Sequence, residues 1–152
     1  MGNYLPEPPE VNDVTASCTV SVVDTWDNEE IANLYRAGGW WKPGYRAEEL
    51  GALIRGSFAF AVARDELTGK AVGMGRVIAD GVSDGYIQDL VVYPEFRNSG
   101  IGTRIVEELT RTCLKRGLTW IGLIAEPGSA PFYHALGFRK MEGHVPMIYK
   151  GD

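Results

Sequence analysis

The stretch 94–109, PEFRNSGIGTRIVEEL, contains residue types that can bind an anionic ligand. Gly100 and Gly102 stand where an amphipathic helix is predicted to begin, and Arg97 precedes them. The first turn of a helix has backbone N–H groups without partners and a partial positive charge, so it binds phosphate when no side chain blocks access. Alternatively, the glycines permit a tight turn and close packing on a sheet. Neither the P-loop nor the GxGxxG dinucleotide spacing is present.

Five basic residues lie in or after this stretch, although the chain is acidic overall. Its net charge of −5 argues against a broad nucleic-acid-binding surface, which needs clustered Lys and Arg. A local basic region favours an anionic ligand. A solvated helix face with basic residues near its C-terminus would give the same pattern. Charge alone does not separate the two interpretations for Arg97, Arg104, Arg111, Lys115 and Arg116.

A mixed α/β scaffold is predicted to position these residues. Apolar alternation and turn signals predict strands at 17–23, 58–64, 71–79, 86–93, 119–125 and 145–150, with a further short strand considered near 138–141. The apolar run of 119–125 indicates burial on both faces. Helical periodicity and capping signals predict helices at 27–39, 46–56, about 99–116 and 128–138. Meandering strands come first and strand–helix–strand units later, which is typical of one mixed α/β domain.

The length of 152 residues fits a single domain with a sizeable core. Residues 1–14 hold three of the eight prolines and predict a flexible tail before a folded domain at 15–152. No signal-peptide or membrane-spanning pattern is present, so no membrane partner is expected. Cys18 and Cys113 are too few and too far apart for a disulfide framework or metal site, and Cys113 falls on an apolar helical stripe. We therefore expect a reduced cytoplasmic protein.

The segment LVVYPEFRNSGIGTRIVEEL resembles the acetyl-CoA-binding motif of the GNAT superfamily of acetyltransferases. That motif reads Arg/Gln-x-x-Gly-x-Gly/Ala between the fourth strand and the third helix, and here it runs from Arg97 to Gly102. The second family motif is present as FYHALGF at 132–138. The order of strands and helices also matches, so the resemblance covers residues 17–150. It implies a central, mostly antiparallel twisted sheet with a parallel splayed pair, flanked by four helices.

The resemblance implies that acetyl-CoA is the co-substrate and that no metal is needed. Backbone amides of 97–103 would bind the CoA pyrophosphate. The pantetheine arm would pair with the main chain of 90–92 as an added strand, in a gap between strands 86–93 and 119–125. The implied cofactor-binding residues are Leu90, Val91, Val92, Arg97, Asn98, Ser99, Gly100, Ile101, Gly102, Thr103 and Phe132.

The resemblance also gives Tyr133 a catalytic role, as the general acid that protonates the departing CoA thiolate. The free pKa values of a phenol and a thiol are about 10 and 8.5, close enough for a proton to pass from the phenol to the thiolate at a small energetic cost. The residue pattern alone favours an aromatic core residue of a short helix instead. The resemblance reverses that preference.

The acceptor side rests on weaker signals. YIQDLVV resembles the HIEDIAV-like strand of hexosamine-phosphate acetyltransferases, in which acidic residues lie near the attacking amine. Asp89 is accordingly a candidate catalytic residue, with a hydrogen-bonded structural carboxylate as the equal alternative, and Gln88 replaces a second acid. Trp40 and Trp41 fall in a loop that usually walls the acceptor pocket in this superfamily, and aromatic walls suit apolar or cationic acceptors. Other candidates for a base or water relay are Glu29, Glu30, Asp80 and Glu126.

These features together predict an N-acetyltransferase that transfers acetyl directly to the amine of a small molecule through a ternary complex. A homodimer is a frequent assembly in the superfamily and is one expectation here. Three alternatives stay open at this point: a non-catalytic acyl-CoA-binding sensor, a transferase of longer acyl chains, and an enzyme that acetylates protein amines.

Overall fold

The computed structural model describes residues 17–151, and the predicted tail at 1–14 lies outside the described residues. Five strands form one sheet in the order β1-β2-β3-β4-β5. The strands are β1 Cys18–Val22, β2 Ala59–Asp65, β3 Ala71–Ala79, β4 Asp84–Val92 and β5 Trp120–Gly122. The helices are α1 Asn28–Ala37, α2 Leu50–Gly56, α3 Ile101–Lys115 and α4 Ala130–Ala135, with short 3-10 turns at Ala47–Glu49 and Pro94–Phe96.

The sheet is antiparallel from β1 to β4 and parallel between β4 and β5. Short turns join β2 to β3 and β3 to β4, whereas α1 and α2 lie between β1 and β2, and the parallel pair is joined by the crossover helix α3. The predicted mixed α/β fold, with one parallel pair at the side of an antiparallel sheet, is therefore confirmed.

The two faces of the sheet carry separate apolar clusters. On one face the predicted stripe of α3 packs against the strands, and Ile105, Leu109 and Cys113 are fully buried there. A Cβ at Gly75 of β3 would lie 3.0 Å from Ile105, so this glycine lets the helix approach the sheet closely. Side chains of α4 join the same cluster. The helices α1 and α2 cover the other face, where Tyr35 is buried.

The spacing of Asp27 and Glu30 predicts a capping box at the start of α1, and the structure confirms half of it. The side chain of Asp27 accepts a hydrogen bond from the backbone N–H of Glu30, at 2.9 Å. The carboxylate of Glu30 does not return to the cap. It accepts instead from Trp26 Nε1 at 2.6 Å and from the backbone N–H of Ala71 at 3.0 Å, which ties α1 to the start of β3.

The predictions for the C-terminal strands are wrong. β5 ends at Gly122 rather than continuing to 125, and Ile124 is 70 % exposed rather than buried on both faces. Within the described residues no strand forms at 138–141 or 145–150, and Tyr149 in the latter segment is 93 % exposed. An apolar, β-branched segment forms a strand only where a neighbouring strand supplies ladder hydrogen bonds, and its composition does not report that partner.

Candidate active site

The strands β4 and β5 pair only briefly and then separate. Asp84–Tyr86 pair with Trp120–Gly122, whereas β4 continues to Val92 beyond its pairing with β5. A cavity of about 60 Å³ lies where they diverge, which confirms the predicted gap. Its lining comes from β4, from the chain after β5, from α4 and from the loop after α1: Trp40, Ile87, Gln88, Asp89, Leu90, Leu123, Ile124, Glu126 and Tyr133.

The turn before α3 presents a run of backbone N–H groups. Asn98 and Gly100 both have positive φ values, 58° and 81°, and Gly100 is the N-cap of the helix. The first backbone hydrogen bond of this helix runs from the N–H of Arg104 to the carbonyl of Gly100. Within residues 17–151, the N–H groups of 98–103 donate to no protein acceptor. Such a set of fixed donors at a helix N-terminus suits an anionic group.

The reasons for a glycine differ between the two positions of this turn, 100 and 102. Gly100 adopts a left-handed backbone conformation that L side chains rarely take, so conformation alone accounts for it. A Cβ at Gly102 would meet nothing closer than 3.6 Å, at Phe132 Cζ, so packing does not require a glycine there. A glycine inside a helix costs about 1 kcal/mol relative to Ala. Its presence at 102 therefore supports access of a ligand to the backbone.

The basic residues of this region serve mainly the fold. Arg97 differs from the others because its guanidinium lies beside the turn. Its Nε donates to the carbonyl of Val92 at 2.9 Å, which keeps it there. Two of the others donate to backbone carbonyls of β1 and of the residue before β2, and a third pairs with an acid on its own helix: Arg104, Arg116 and Arg111. Of the two interpretations of the charge pattern, the anion site is favoured for Arg97 alone.

The helix α4 brings the FYHALGF segment against the first turn of α3. The ring of Phe132 is the side chain nearest to Gly102. The ring of Tyr133 packs edge-on against Phe132, with centroids 4.9 Å apart, and against Phe138 at 5.9 Å. Burial, and secondarily the negative charge of Glu126, raise the pKa of Tyr133 above its ordinary value. The phenol beside the cavity is thus a protonated group at neutral pH.

The carboxylate of Asp89 is bound by side chains from two other elements. Its Oδ2 accepts from Arg76 Nε at 2.6 Å and from the Tyr35 hydroxyl at 2.8 Å. Burial and the neighbouring charge of Asp89 raise the pKa of Tyr35, which keeps that hydroxyl as a donor. Asp89 is half-buried, and it also lines the cavity. The side chain therefore has both features considered from the sequence: it is part of a hydrogen-bonded network, and it faces the site.

The two tryptophans of the loop after α1 have different positions. Trp40 lines the cavity, whereas Trp41 packs under the guanidinium of Arg36, at 5.0 Å from the ring centroid. A Cβ at Gly38 would lie 2.6 Å from the Trp40 ring, so this glycine makes the ring's position possible. Gln88 also lines the cavity and is exposed to solvent.

Three of the other candidate proton acceptors are engaged elsewhere. Glu29 forms an ion pair on the surface of α1, and Glu30 binds Trp26 and β3 as described above. Asp80 accepts from backbone N–H groups of its own turn, and these hydrogen bonds lower its pKa to about 2. Glu126 alone among these four lines the cavity, and within residues 17–151 its carboxylate forms no hydrogen bond or ion pair.

The sequence interpretation missed two residues of this region, Tyr35 and Arg76. Tyr35 lies on the buried face of α1, where an aromatic residue by itself indicates only core packing. Arg76 is the one charged residue in the otherwise apolar strand AVGMGRVIA, and its side chain is only 18 % exposed. A lone charge in a buried strand requires a partner, because an unpaired buried charge is costly. That signal could have pointed to Asp89.

Other classes of site find little support in the part of the chain that is described. Among residues 17–151, no group of three or more His, Cys, Asp or Glu is placed to hold a metal ion. No helix of this part is long and apolar enough to cross a membrane. Cys113 is fully buried, as predicted, and burial raises the pKa of its thiol and that of Cys18.

Comparison with known proteins gives a consistent result. A family model described as "Acetyltransferase (GNAT) domain" matches residues 56–140. A GNAT family acetyltransferase from Streptococcus pneumoniae TIGR4 has a similar structure, with a TM-score of 0.73 and 26 % identity over 88 % of this chain and 98 % of that chain.

Two curated relatives match over shorter shares of their own length. The uncharacterized N-acetyltransferase ycf52 of Pyropia yezoensis is 26 % identical over 111 residues, which are 73 % of this chain and 64 % of the relative. The chloroplastic GCN5-related N-acetyltransferase 2 of Arabidopsis thaliana is 38 % identical over 69 residues, 45 % of this chain and 27 % of the relative. The chain thus spans less than two thirds of each of these two relatives.

Proposed function

The chain belongs to the GNAT family of acetyltransferases, and we propose that it transfers the acetyl group of acetyl-CoA directly to an amine of a small molecule. One observation carries this proposal: the cavity between β4 and β5 is lined by Trp40 from the α1 side of the sheet and by Tyr133 from the α3 side. A donor that approaches from one face and an acceptor that approaches from the other can meet there in a ternary complex.

The donor side of the proposal uses backbone groups. The unpaired N–H groups of 98–103, with Arg97 beside them, would receive the pyrophosphate of CoA. The open backbone at Gly102 supports this placement, because a side chain would fit there without a clash and is nevertheless lacking. The pantetheine arm would lie along 90–92, where β4 has left β5, and would pass the ring of Phe132.

The proposed reaction transfers two protons, one to the departing thiolate and one from the attacking amine. The amine nitrogen forms a bond to the thioester carbon, and the carbon–sulfur bond breaks. Tyr133 gives its phenol proton to the departing thiolate, and the raised pKa of Tyr133 ensures that the proton is present. The amine loses a proton to Asp89, directly or through one water molecule. Asp89 lines the same cavity as Tyr133, which supports both assignments.

The acceptor side of the proposal is a small amine. Trp40 would supply an aromatic wall, Gln88 a polar contact and Glu126 a negative charge, and all three line the cavity. An aromatic face and a carboxylate favour an ammonium group as it approaches. Trp41, the second tryptophan predicted for this wall, would act by supporting the loop.

The cellular compartment is proposed on two different observations. The two cysteines are buried and unpaired, as in a reducing compartment such as the cytoplasm. The matching Arabidopsis relative is named as a chloroplastic protein. Both compartments are reducing, so the cytoplasm is retained as our prediction and plastid targeting is its alternative.

A direct test measures thiol release from acetyl-CoA in the presence of a panel of small amines, for the wild type and for Tyr133→Phe. We expect at least one amine to stimulate release by the wild type. We expect Tyr133→Phe to lower kcat by about a hundredfold or more, the usual contribution of a general acid, because its ring keeps the packing and loses only the proton. Tyr149→Phe, which alters an exposed phenol outside the cavity, is the matched control and should retain full activity.

The alternatives give different results in the same assay. A protein that binds acetyl-CoA, but in which no amine of the panel stimulates thiol release, would be an acyl-CoA sensor. Stimulation only by peptide amines would indicate protein acetylation. A kcat of Tyr133→Phe equal to that of the wild type would remove Tyr133 from the mechanism.

A further inference from the structure

The strand β4 carries a bulge beside the cavity. Met74 of β3 pairs with Val91 of β4, and Arg76 of β3 pairs with Gln88 of β4. One residue separates the two positions on β3, whereas two residues separate them on β4. Those two residues are Asp89 and Leu90, and both line the cavity. A bulge bends its strand and increases the local twist. Here it begins three residues after Tyr86, the last residue of β4 that pairs with β5, so it lies in the part of β4 that has left β5.

The backbone of this bulge has an unusual conformation. Asp89 has a φ of 58°, one of only two positive values at a non-glycine residue within 17–151. The other is at Asn98, in the turn that we assign to the pyrophosphate. A side-chain-bearing residue stays in the left-handed region only where its surroundings over-determine it, and such positions cluster at functional sites.

Two side chains donate hydrogen bonds to the carboxylate of Asp89. Arg76 reaches it from β3, at 2.6 Å, and Tyr35 reaches it from α1, at 2.8 Å. Both donate to the same oxygen, Oδ2, so the carboxylate is fixed from two elements at once. The three side chains are at most half-exposed, and Tyr35 is 7 % exposed. We call Tyr35, Arg76 and Asp89 the carboxylate clamp.

We propose that the carboxylate clamp fixes the β4 bulge, and that Tyr35 and Arg76 are thereby positioning residues for acetyl transfer. The clamp directs the backbone of Leu90 away from β3 and toward the gap, where the thioester end of the donor is proposed to lie. It also places the free oxygen of Asp89 relative to the amine. This inference rests on the proposed function, because it assigns the clamp to that reaction.

The kinetic test uses Tyr35→Phe and Arg76→Met. Tyr35→Phe removes one hydroxyl and preserves the ring, and Arg76→Met removes the cation and preserves an unbranched chain. For each variant we expect kcat to fall by about tenfold to a hundredfold, the loss that follows a displacement of reacting groups by about 1 Å. The KM for acetyl-CoA should change by less than kcat does, since the turn at 97–103 is untouched. The double variant should lose less than the product of the single losses, because both residues act through Asp89.

The matched control is Val62→Ala. Val62 is fully buried in the same apolar cluster as Tyr35, and it does not line the cavity. It should lower Tm and leave kcat per folded enzyme unchanged. If Val62→Ala lowers kcat as strongly as Tyr35→Phe does, or if the two clamp variants retain the wild-type kcat, the positioning role is wrong.

A second readout does not depend on turnover. In two-dimensional 1H–15N NMR spectra, Tyr35→Phe should shift the backbone amides of Asp89 and Leu90, and the amides of 98–103 should keep their positions. A crystal structure of Arg76→Met should show residue 89 out of the left-handed region. An unchanged φ at 89 in that structure would overturn the clamp even if the wild type acetylates amines. Conversely, a wild type that acetylates no amine, with the NMR shifts as expected, would refute the proposed function and leave the clamp as a device of the fold.

Discussion

The proposed donor side and the proposed acceptor side of the gap are built from different parts of the chain. The donor side is a contiguous stretch at the start of α3, where the backbone N–H groups of 98–103 have no acceptor within residues 17–151. The acceptor side is assembled from side chains that are distant in sequence, such as Trp40, Asp89 and Glu126. The first depends on local conformation, whereas the second depends on how α1, β4 and the chain after β5 come together.

This difference governs how each side tolerates substitution. A backbone site is sensitive to any added side-chain atom that stands between the N–H groups and the ligand, even where the protein itself has room for it. A side-chain site is sensitive to changes that displace its members, including changes at residues that never touch the ligand. Glycine substitutions separate the two cases, because Gly102 and Gly38 belong to the two sides and have opposite packing environments.

The largest expected effect on binding is that of Gly102→Ala, on the proposed donor side. We expect the Kd for acetyl-CoA to rise by about tenfold to a hundredfold, because one charge-assisted hydrogen bond, worth about 1.5–3 kcal/mol, would be weakened by the added methyl group. We expect the free energy of unfolding to rise by up to about 1 kcal/mol, since Ala is the better helix former and the nearest atom is 3.6 Å away. Calorimetric titration and chemical denaturation measure the two quantities.

The matched control for this change is Gly56→Ala. Gly56 ends α2, and a Cβ there would have open space around it. It should alter stability modestly and leave the Kd for acetyl-CoA unchanged. If Gly102→Ala also leaves the Kd unchanged, the backbone at 102 is not a contact of the donor, and the contrast between the two sides loses its main support.

Gly38→Ala should produce the opposite result, on the acceptor side. The added Cβ would lie 2.6 Å from the Trp40 ring, so the ring must move. We expect the free energy of unfolding to fall by about 1–3 kcal/mol, the usual cost of overpacking. We expect the KM for the amine to rise by up to about tenfold, because an aromatic wall of its pocket is displaced. Steady-state kinetics with the best amine of the panel would measure this.

The Kd for acetyl-CoA is the internal control for Gly38→Ala and should match that of the wild type. An unchanged KM for the amine, together with the expected loss of stability, would mean that Trp40 does not contact the acceptor. A parallel rise of the KM for the amine and the Kd for acetyl-CoA would show that the two sides are not independent.

The sequence predicted the location of the donor side more completely than the contacts of the acceptor side. The reason is that the first consists of local features, whereas the second consists of side chains distant in sequence. The turn at 97–103 could be located because glycine spacing, a preceding strand and a following helix are all local features. The clamp partners of Asp89 were missed, because Tyr35 and Arg76 lie 54 and 13 residues away from it, and only the lone charge of Arg76 in an apolar strand gave a signal. For the fold, the antiparallel strands joined by short turns were predicted well. The region after β5 was predicted poorly. Whether an apolar segment forms a strand there depends on a partner strand from elsewhere in the chain.

Arg97→Gln tests the charge beside the donor turn and should have a smaller effect. The Nε of Arg97 donates to the carbonyl of Val92, so one of its donors is already used. Its charge would lie beside the proposed pyrophosphate site without enclosing the ligand. We expect the Kd for acetyl-CoA to rise by about twofold to fivefold, as for a partly solvated ion pair worth up to about 1 kcal/mol. The effect should shrink at high salt because ions screen such charges. Lys115→Gln, at the far end of α3, is the control and should bind acetyl-CoA as the wild type does.

The smallest expected effect concerns pH and Tyr133, the residue at which the two sides meet. Burial first, and the charge of Glu126 second, raise its pKa above the ordinary value of 10.0, so the phenol keeps its proton from neutral pH to about pH 9, a unit below that value. With a weakly basic amine that stays uncharged over this range, kcat should therefore show no decline up to about pH 9. Glu126→Gln removes the smaller of the two causes, and the profile should stay flat. A decline in the wild type with a midpoint well below 10 that is absent in Tyr133→Phe would mean that Tyr133 ionises in the enzyme. Tyr133 would then be unfit to act as the acid in that range.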